Sequence, residues 1–206
     1  HTKAVFLCSP NNPTGECLER GELMKVLERF DGIVVVDEAY ADFMEEESFL
    51  RMLSDYPKLI VLQTFSKAWA CAGIRLGMAF ASPEVIAIYN KVKYPYNVNV
   101  LTQRQALEVL ADYSKITEWV ALLKAERERM AAALEKYPDT EHVFPTDANF
   151  VLVRVKDAQA LYDYLLTQGI IIRNRHRVQL CANCLRITVG TPEENDALLE
   201  AMYRFL

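Results

Sequence analysis

The chain is short of the features that mark several large classes of protein. Its apolar runs, such as 4–8 and 32–36, stop far short of the roughly 20 residues that a membrane-spanning helix needs. No signal-peptide pattern opens it, so a soluble cytoplasmic protein is expected. Positive charge is not in excess: 23 Lys and Arg stand against 28 Asp and Glu, a formal net charge of -5, and 42–47 is an acidic run. A non-specific polyanion binder is thereby excluded, and nucleic acid is not an expected partner. Cysteine is sparse, five in number and spread along the chain, which implies reduced thiols and no disulfide scaffold. Cys181 and Cys184 make one CxxC pair, but no second pair lies nearby and His176 is the only close imidazole, so no metal is expected. Glycine is scarce too, and none of the seven forms a phosphate-binding turn at a helix N-terminus. Internal repeats and low-complexity stretches are missing.

Apolar residues are abundant, 51% of the total, enough to build one compact domain or a large lobe with a small one. Short apolar strands alternate with amphipathic helices from the start, which predicts an α/β architecture with a mainly parallel sheet. Strands are expected at 4–8, 33–36, 59–63 and 76–81. A helix over 16–30 places Leu23, Val26, Leu27 and Phe30 on one stripe, the spacing of a face that packs on a sheet. Ser82 and Pro83 form a helix cap and first-turn proline. Near Tyr94 the character changes: "YPYNVN" is a proline-marked turn, and 102–137 is almost entirely helix-forming. A small α+β lobe follows. It has a strand at 149–155, a helix ending at Gly169, short strands at 170–172 and 185–189, and a last helix opened by Thr191, Pro192 and Glu194. The expected division is 1–96 as the C-terminal part of a large domain, 97–137 as an interdomain helical segment, and 138–206 as a small C-terminal domain.

Four local patterns carry polar chemistry, and each has a plain structural alternative. "SPNNPTG" (9–15) follows the first strand, where a sheet's carboxyl end places ligands, yet Asn, Pro and Gly are also ordinary turn residues. "VVVDEAY" sets Asp37, Glu38 and Tyr40 after a strand so apolar that both faces must be buried. Asp37 then either floors a cleft or leaves the strand for solvent. "TFSKAWACAGIRLG" groups Thr64, Ser66, Lys67 and Arg75, with Gly73 and Gly77 allowing close backbone approach. Hydroxyls and a guanidinium suit a phosphate, and positive charge nearby disfavours the ammonium form of Lys67, which makes it a nucleophile toward a carbonyl. Taken alone, Lys67 is a surface lysine. Arg186, in "CLRITVG", lies on a short strand, where its guanidinium needs a carboxylate or phosphate ligand or an internal ion pair.

In their order and spacing, Asn12-Pro13-Thr14-Gly15, Asp37 with Tyr40, Ser66-Lys67, Arg75 and Arg186 resemble the fold-type I aminotransferases that use pyridoxal 5'-phosphate (PLP). "SPNNPTG", "VDEAY", "QTFSKAWACAGIRLG", "PYNVN" and "LRITVGT" are further similar to the histidinol-phosphate aminotransferase subfamily, and the likeness covers nearly the whole chain. The resemblance implies a fold-type I PLP-dependent transferase: part of the large, mainly parallel sheet domain plus a small C-terminal α+β domain. It implies Lys67 as the lysine that holds PLP as a Schiff base and, once freed, moves the proton between substrate and cofactor. Asp37 then pairs with the pyridine nitrogen, Asn12 and Tyr40 donate to the phenolic oxygen, and Thr64, Ser66 and Arg75 hold the phosphate. Arg186 binds the α-carboxylate of glutamate or 2-oxoglutarate, with Asn12 in the same substrate pocket. Arg173 matches a second, phosphate-binding arginine, with Arg175 and Arg177 in "RNRHR" as rivals.

The implied reaction is amino transfer from histidinol phosphate to 2-oxoglutarate in histidine biosynthesis, by a homodimer whose partners are small molecules, an amino donor and a 2-oxo acid. Threonine-phosphate decarboxylation, another class I/II aminotransferase activity, and a PLP-sensing regulator without turnover are the alternatives. The chain opens in mid-sheet, so an N-terminally truncated protein, inactive by itself, is expected.

Overall fold

The computed structural model describes residues 1–206 as two compact units. The first comprises His1–Asn11 and Cys17–Trp119, the second Asn12–Glu16 and Val120–Leu206. No helix is long and apolar enough to cross a membrane.

In the first unit, β1 (Ala4–Cys8), β2 (Ile33–Asp37), β3 (Leu59–Thr64) and β4 (Gly77–Ala81) form one sheet in that order. β2 runs parallel to β1 and to β3, whereas β4 is antiparallel to β3. Val34, Val35 and Val36 are all buried, so both faces of β2 are covered, as its unbroken β-branched run requires. Helix α1 (Arg20–Arg29) contributes Leu23 to a core with Val34, Val36, Phe49, Met52, Leu59 and Val61. Each such side chain contributes roughly 1.5–3 kcal/mol on burial, which fixes the ends of β2 and β3 side by side. The helix begins at Arg20 and not at residue 16. Gly15 takes φ +90° and the Leu18 N–H donates to Ser9 Oγ at 2.9 Å, so the chain there is held away from helical geometry.

Three helices follow: α2 (Pro83–Val92), α3 (Val100–Ala111) and α4 (Tyr113–Glu135). Ser82 caps α2 by accepting from Val85 N, and Asn99 caps α3 by accepting from Thr102 N. The helix-forming stretch 102–137 is helical as expected apart from a break at Asp112, whose backbone leaves the helical region (φ -115°, ψ 51°), and a short turn after Glu135. The two units divide within α4, while the 94–99 turn lies inside the first unit.

The second unit has an antiparallel sheet of β5 (Thr140–Val143), β6 (Phe150–Val155), β7 (Arg173–Asn174) and β8 (Cys184–Thr188), in the order β5-β6-β8-β7. Helices α5 (Ala158–Thr167) and α6 (Pro192–Phe205) pack on it, joining Leu161, Leu165, Leu198 and Met202 to Val151, Val153, Leu185 and Ile187. A capping box starts α6: Thr191 accepts from Glu194 N while Glu194 accepts from Thr191 N. The strand expected at 170–172 does not form. Gly169, at φ +75°, ends α5, Ile170 N donates back to Leu165 O at 2.9 Å, and pairing begins only at Arg173.

Candidate active site

Parallel pairing brings the carboxyl ends of β2 and β3 to one edge, the place where open α/β sheets bind ligands. Asp37 ends β2, in register with Cys8 on one side and Leu62 on the other. Its Oδ1 accepts from Ala39 N at 3.0 Å. Partial desolvation, and then the Asp37 charge, push the thiol of Cys8, an exposed residue, up. Tyr40, buried three residues on, offers its ring to Lys67: Nζ lies 5.2 Å from the ring centre. No carboxylate is paired with Lys67. The amine is tethered by a cation–π contact worth about 0.5–1 kcal/mol at an exposed site, and it remains accessible to an electrophile.

The turn that presents Lys67 is built by Thr64, whose Oγ1 accepts from Ser66 N at 3.0 Å and donates to Leu76 O at 3.2 Å. Its proton is therefore committed within the chain. Arg75 sits in the left-handed region (φ 55°, ψ 46°), with Nη1 donating to Ala72 O at 2.9 Å. Such a conformation costs on the order of 1–3 kcal/mol for a residue with a side chain and persists only where surroundings enforce it. Buried Thr102 supplies part of that enforcement, donating from Oγ1 to Ile74 O at 3.0 Å. The sequence gives no sign of Thr102, because its partner is a backbone carbonyl 28 residues away. It likewise leaves Glu38 and Gln63 without a role, although an acid following directly on a buried strand was a usable signal.

In the second unit, Arg186 lies on β8 with Arg173 as its cross-strand partner on β7. Arg186 Nη1 donates to Asn12 Oδ1 at 2.8 Å, and the guanidinium lies 4.9 Å over the Phe150 ring. Asn12 thus spends its acceptor on Arg186 and keeps amide donors for other ligands. The turn carrying Asn12 is braced at Gly15, whose carbonyl accepts from Asp147 N at 2.8 Å. Like charges on cross-strand partners disfavour each other, and an anion bound by both relieves that cost. Arg175 and Arg177 do not share this position: Arg175 lies one step past β7 with its N–H donating to Cys184 O, and Arg177 is exposed beyond it. Cys181 and Cys184 are buried against Leu152, with Phe144 packed beside them, and burial is the main cause that pushes the Cys184 thiol up. No group of three His, Cys, Asp or Glu side chains is placed to hold a metal ion.

The sequence and the fold have counterparts among known proteins. A curated relative, the histidinol-phosphate aminotransferase of Parabacteroides distasonis, is 57% identical over 201 residues, covering 98% of this chain and 58% of the relative. The crystal structure of the histidinol-phosphate aminotransferase from Clostridium acetobutylicum superposes with a TM-score of 0.91 at 28% identity, covering 97% of this chain and 63% of that one. That of the histidinol-phosphate aminotransferase from Sinorhizobium meliloti, in complex with pyridoxal-5'-phosphate, gives 0.88 at 25% identity, covering 98% and 57%. The chain thus spans under two thirds of the length of the relatives it matches. Residues 1–202 match the family model for aminotransferase class I and II, and the chain belongs to that family.

Proposed function

We propose that the protein carrying this chain is a PLP-dependent transaminase that moves the amino group of histidinol phosphate to 2-oxoglutarate, giving imidazole acetol phosphate and glutamate. The observation that carries this reading is the meeting of Lys67 with Tyr40 beside Asp37, at the carboxyl ends of adjacent parallel strands. The 57% identity to a histidinol-phosphate aminotransferase supports the choice of substrate. In the same reading, 1–96 belongs to the PLP-binding domain, 97–137 is interdomain, and 138–206 is the small domain.

PLP is an aldehyde that bears a phosphate and a basic ring nitrogen, and the residues present fit each part. Lys67 offers an amine without a carboxylate partner; Ser66 and Arg75 offer phosphate donors, with Thr64 shaping their turn; Asp37 offers a carboxylate for the ring nitrogen. When bound, PLP supplies an electron-withdrawing ring that takes up charge as the substrate loses its α-proton. Asp37 holds a proton at the ring nitrogen, and Tyr40 donates from its hydroxyl to the ring's phenolic oxygen. Lys67 Nζ takes the proton from the substrate α-carbon. Arg186, oriented by Asn12, binds the carboxylate of glutamate or 2-oxoglutarate, and with Arg173 beside it accepts the phosphate of histidinol phosphate in the other half-reaction.

Incubating the full-length protein and PLP with histidinol phosphate and 2-oxoglutarate, and in a parallel reaction with threonine phosphate, tests the proposal by product. Glutamate formation supports it. Release of carbon dioxide from threonine phosphate, with no glutamate formed from histidinol phosphate, replaces it with a decarboxylase.

A further inference from the structure

Between Asp37 and Tyr40 the chain buries a second acid. Glu38 is 1% exposed and forms no salt bridge with any cation. Taking a carboxylate out of water costs several kcal/mol unless donors replace the lost hydration. Three donors do so here. Phe49 N donates to Oε1 at 2.6 Å, while Ser48 Oγ at 2.5 Å and Gln63 Nε2 at 2.9 Å donate to Oε2. The three belong to two separate segments. Ser48 and Phe49 open a short 3-10 turn that packs Phe49 and Met52 into the core, and Gln63 is on β3 just before Thr64.

The backbone of Glu38 is tied as well. Its N–H donates to Leu62 O at 2.8 Å, which extends the β2–β3 ladder by one residue, and its carbonyl accepts from Ala41 N at 3.0 Å, which closes the turn around Tyr40. One residue therefore links the segment bearing Asp37 and Tyr40 to the segment bearing Thr64, Ser66 and Lys67. A neutral apolar side chain would fill this core at lower desolvation cost, so stability alone does not account for a buried, cation-free carboxylate.

We propose that Glu38 is a positioning residue of the transamination site. Through Gln63 it fixes the spacing between the Asp37–Tyr40 turn and the Lys67 turn, and so the register of acid, phenol and amine around the cofactor. This inference rests on the proposed function above.

The reciprocal exchange separates positioning from mere packing. Glu38→Gln keeps one acceptor oxygen for the Phe49 N–H and puts an NH2 where Ser48 and Gln63 donate, so Gln63 must turn its amide over to answer it, whereas Glu38→Gln with Gln63→Glu restores an amide donor facing a charged acceptor between the same positions. In full-length enzyme loaded with PLP, Glu38→Gln is expected to shift the pH midpoint of the cofactor absorbance. It is also expected to lower kcat about tenfold, with KM for glutamate within about twofold. The double exchange is expected to bring both quantities back toward wild type. Gln63→Leu, which removes only the cross-strand donor, carries the same expectation if Glu38→Gln does not fold. An unchanged midpoint and kcat in folded single variants, or a double variant no better than the single at equal thermal stability, overturns positioning and leaves the transaminase reading in place. Wild-type enzyme that takes no cofactor at Lys67 overturns both.

Discussion

Arg173 and Arg186 stand opposite one another across the β7–β8 ladder, two positive charges on one face of the small sheet. Like charges in that position destabilise by roughly 0.2–1 kcal/mol, a cost that a shared anionic ligand reverses. Asn12 grips only Arg186, so the two arginines are not equivalent: one is oriented by Asn12 and the other is exposed.

Arg186→Ala in the full-length enzyme is therefore expected to raise KM for both glutamate and histidinol phosphate by about tenfold or more. Arg173→Ala is expected to raise mainly the KM for histidinol phosphate. Steady-state kinetics with each substrate varied in turn checks the division. Equal losses for Arg173→Ala reject it.

Gly15→Ala is expected to destabilise the protein by more than about 1 kcal/mol. The residue has φ +90°, and an added Cβ would meet Thr146 Oγ1 at 2.2 Å and Thr146 Cβ at 2.6 Å. Since this turn positions Asn12, weaker substrate binding should accompany the lower stability. Denaturant unfolding of wild type and variant measures the first effect.

Buried Glu126 anchors α4 to α6, accepting from Arg129 at 2.9 and 2.7 Å and from Asn195 Nδ2 at 2.7 Å. Arg129 foremost, and then Asn195, hold its carboxyl below the ordinary value of 4.5. A carboxyl lowered in the fold contributes its full stability above 4.5 and loses it as pH falls below that value. Glu126→Gln should thus cost stability at pH 7 and progressively less in acid. Unfolding curves that stay equally separated at every pH would count against this linkage.

Tyr137 lies under α6 with its hydroxyl donating to Met202 O at 3.1 Å, and burial pushes its pKa up to about 12. An acid raised in the fold keeps its full contribution below the ordinary value of 10.0 and loses it as pH climbs toward 12. Tyr137→Phe leaves that carbonyl without its donor and should cost about 1–3 kcal/mol at neutral pH. The variant should also lose the part of the alkaline instability that Tyr137 causes. Thermal unfolding between pH 8 and 11 reads both effects.

Much of the fold, and the motifs of the candidate site, were legible because their signals are local. The unbroken apolar run of β2, the motifs around Asn12, Asp37 and Lys67, and the caps at Ser82 and Thr191 all act within a few residues of chain. What escaped depends on distant partners. The start of α1 is set by the tether of Leu18 to Ser9, and the turn before Arg75 by Thr102. The run 170–172 has strand composition, yet Ile171 is 74% exposed and only the residues after it find a partner strand. β5 escaped for the opposite reason, since a half-exposed edge strand with Glu141 and His142 shows no apolar pattern. Glu38 was visible as a residue, but its function lies in donors contributed by Ser48, Phe49 and Gln63.

Lys67, held against Tyr40 and with no carboxylate paired to it, is the amine proposed to take the cofactor. Borohydride reduction of the full-length protein in the presence of PLP, followed by peptide mapping, tests it most directly. The expected result is one reduced cofactor label per chain, on Lys67. A label on any other lysine, or no label at all, would contradict it.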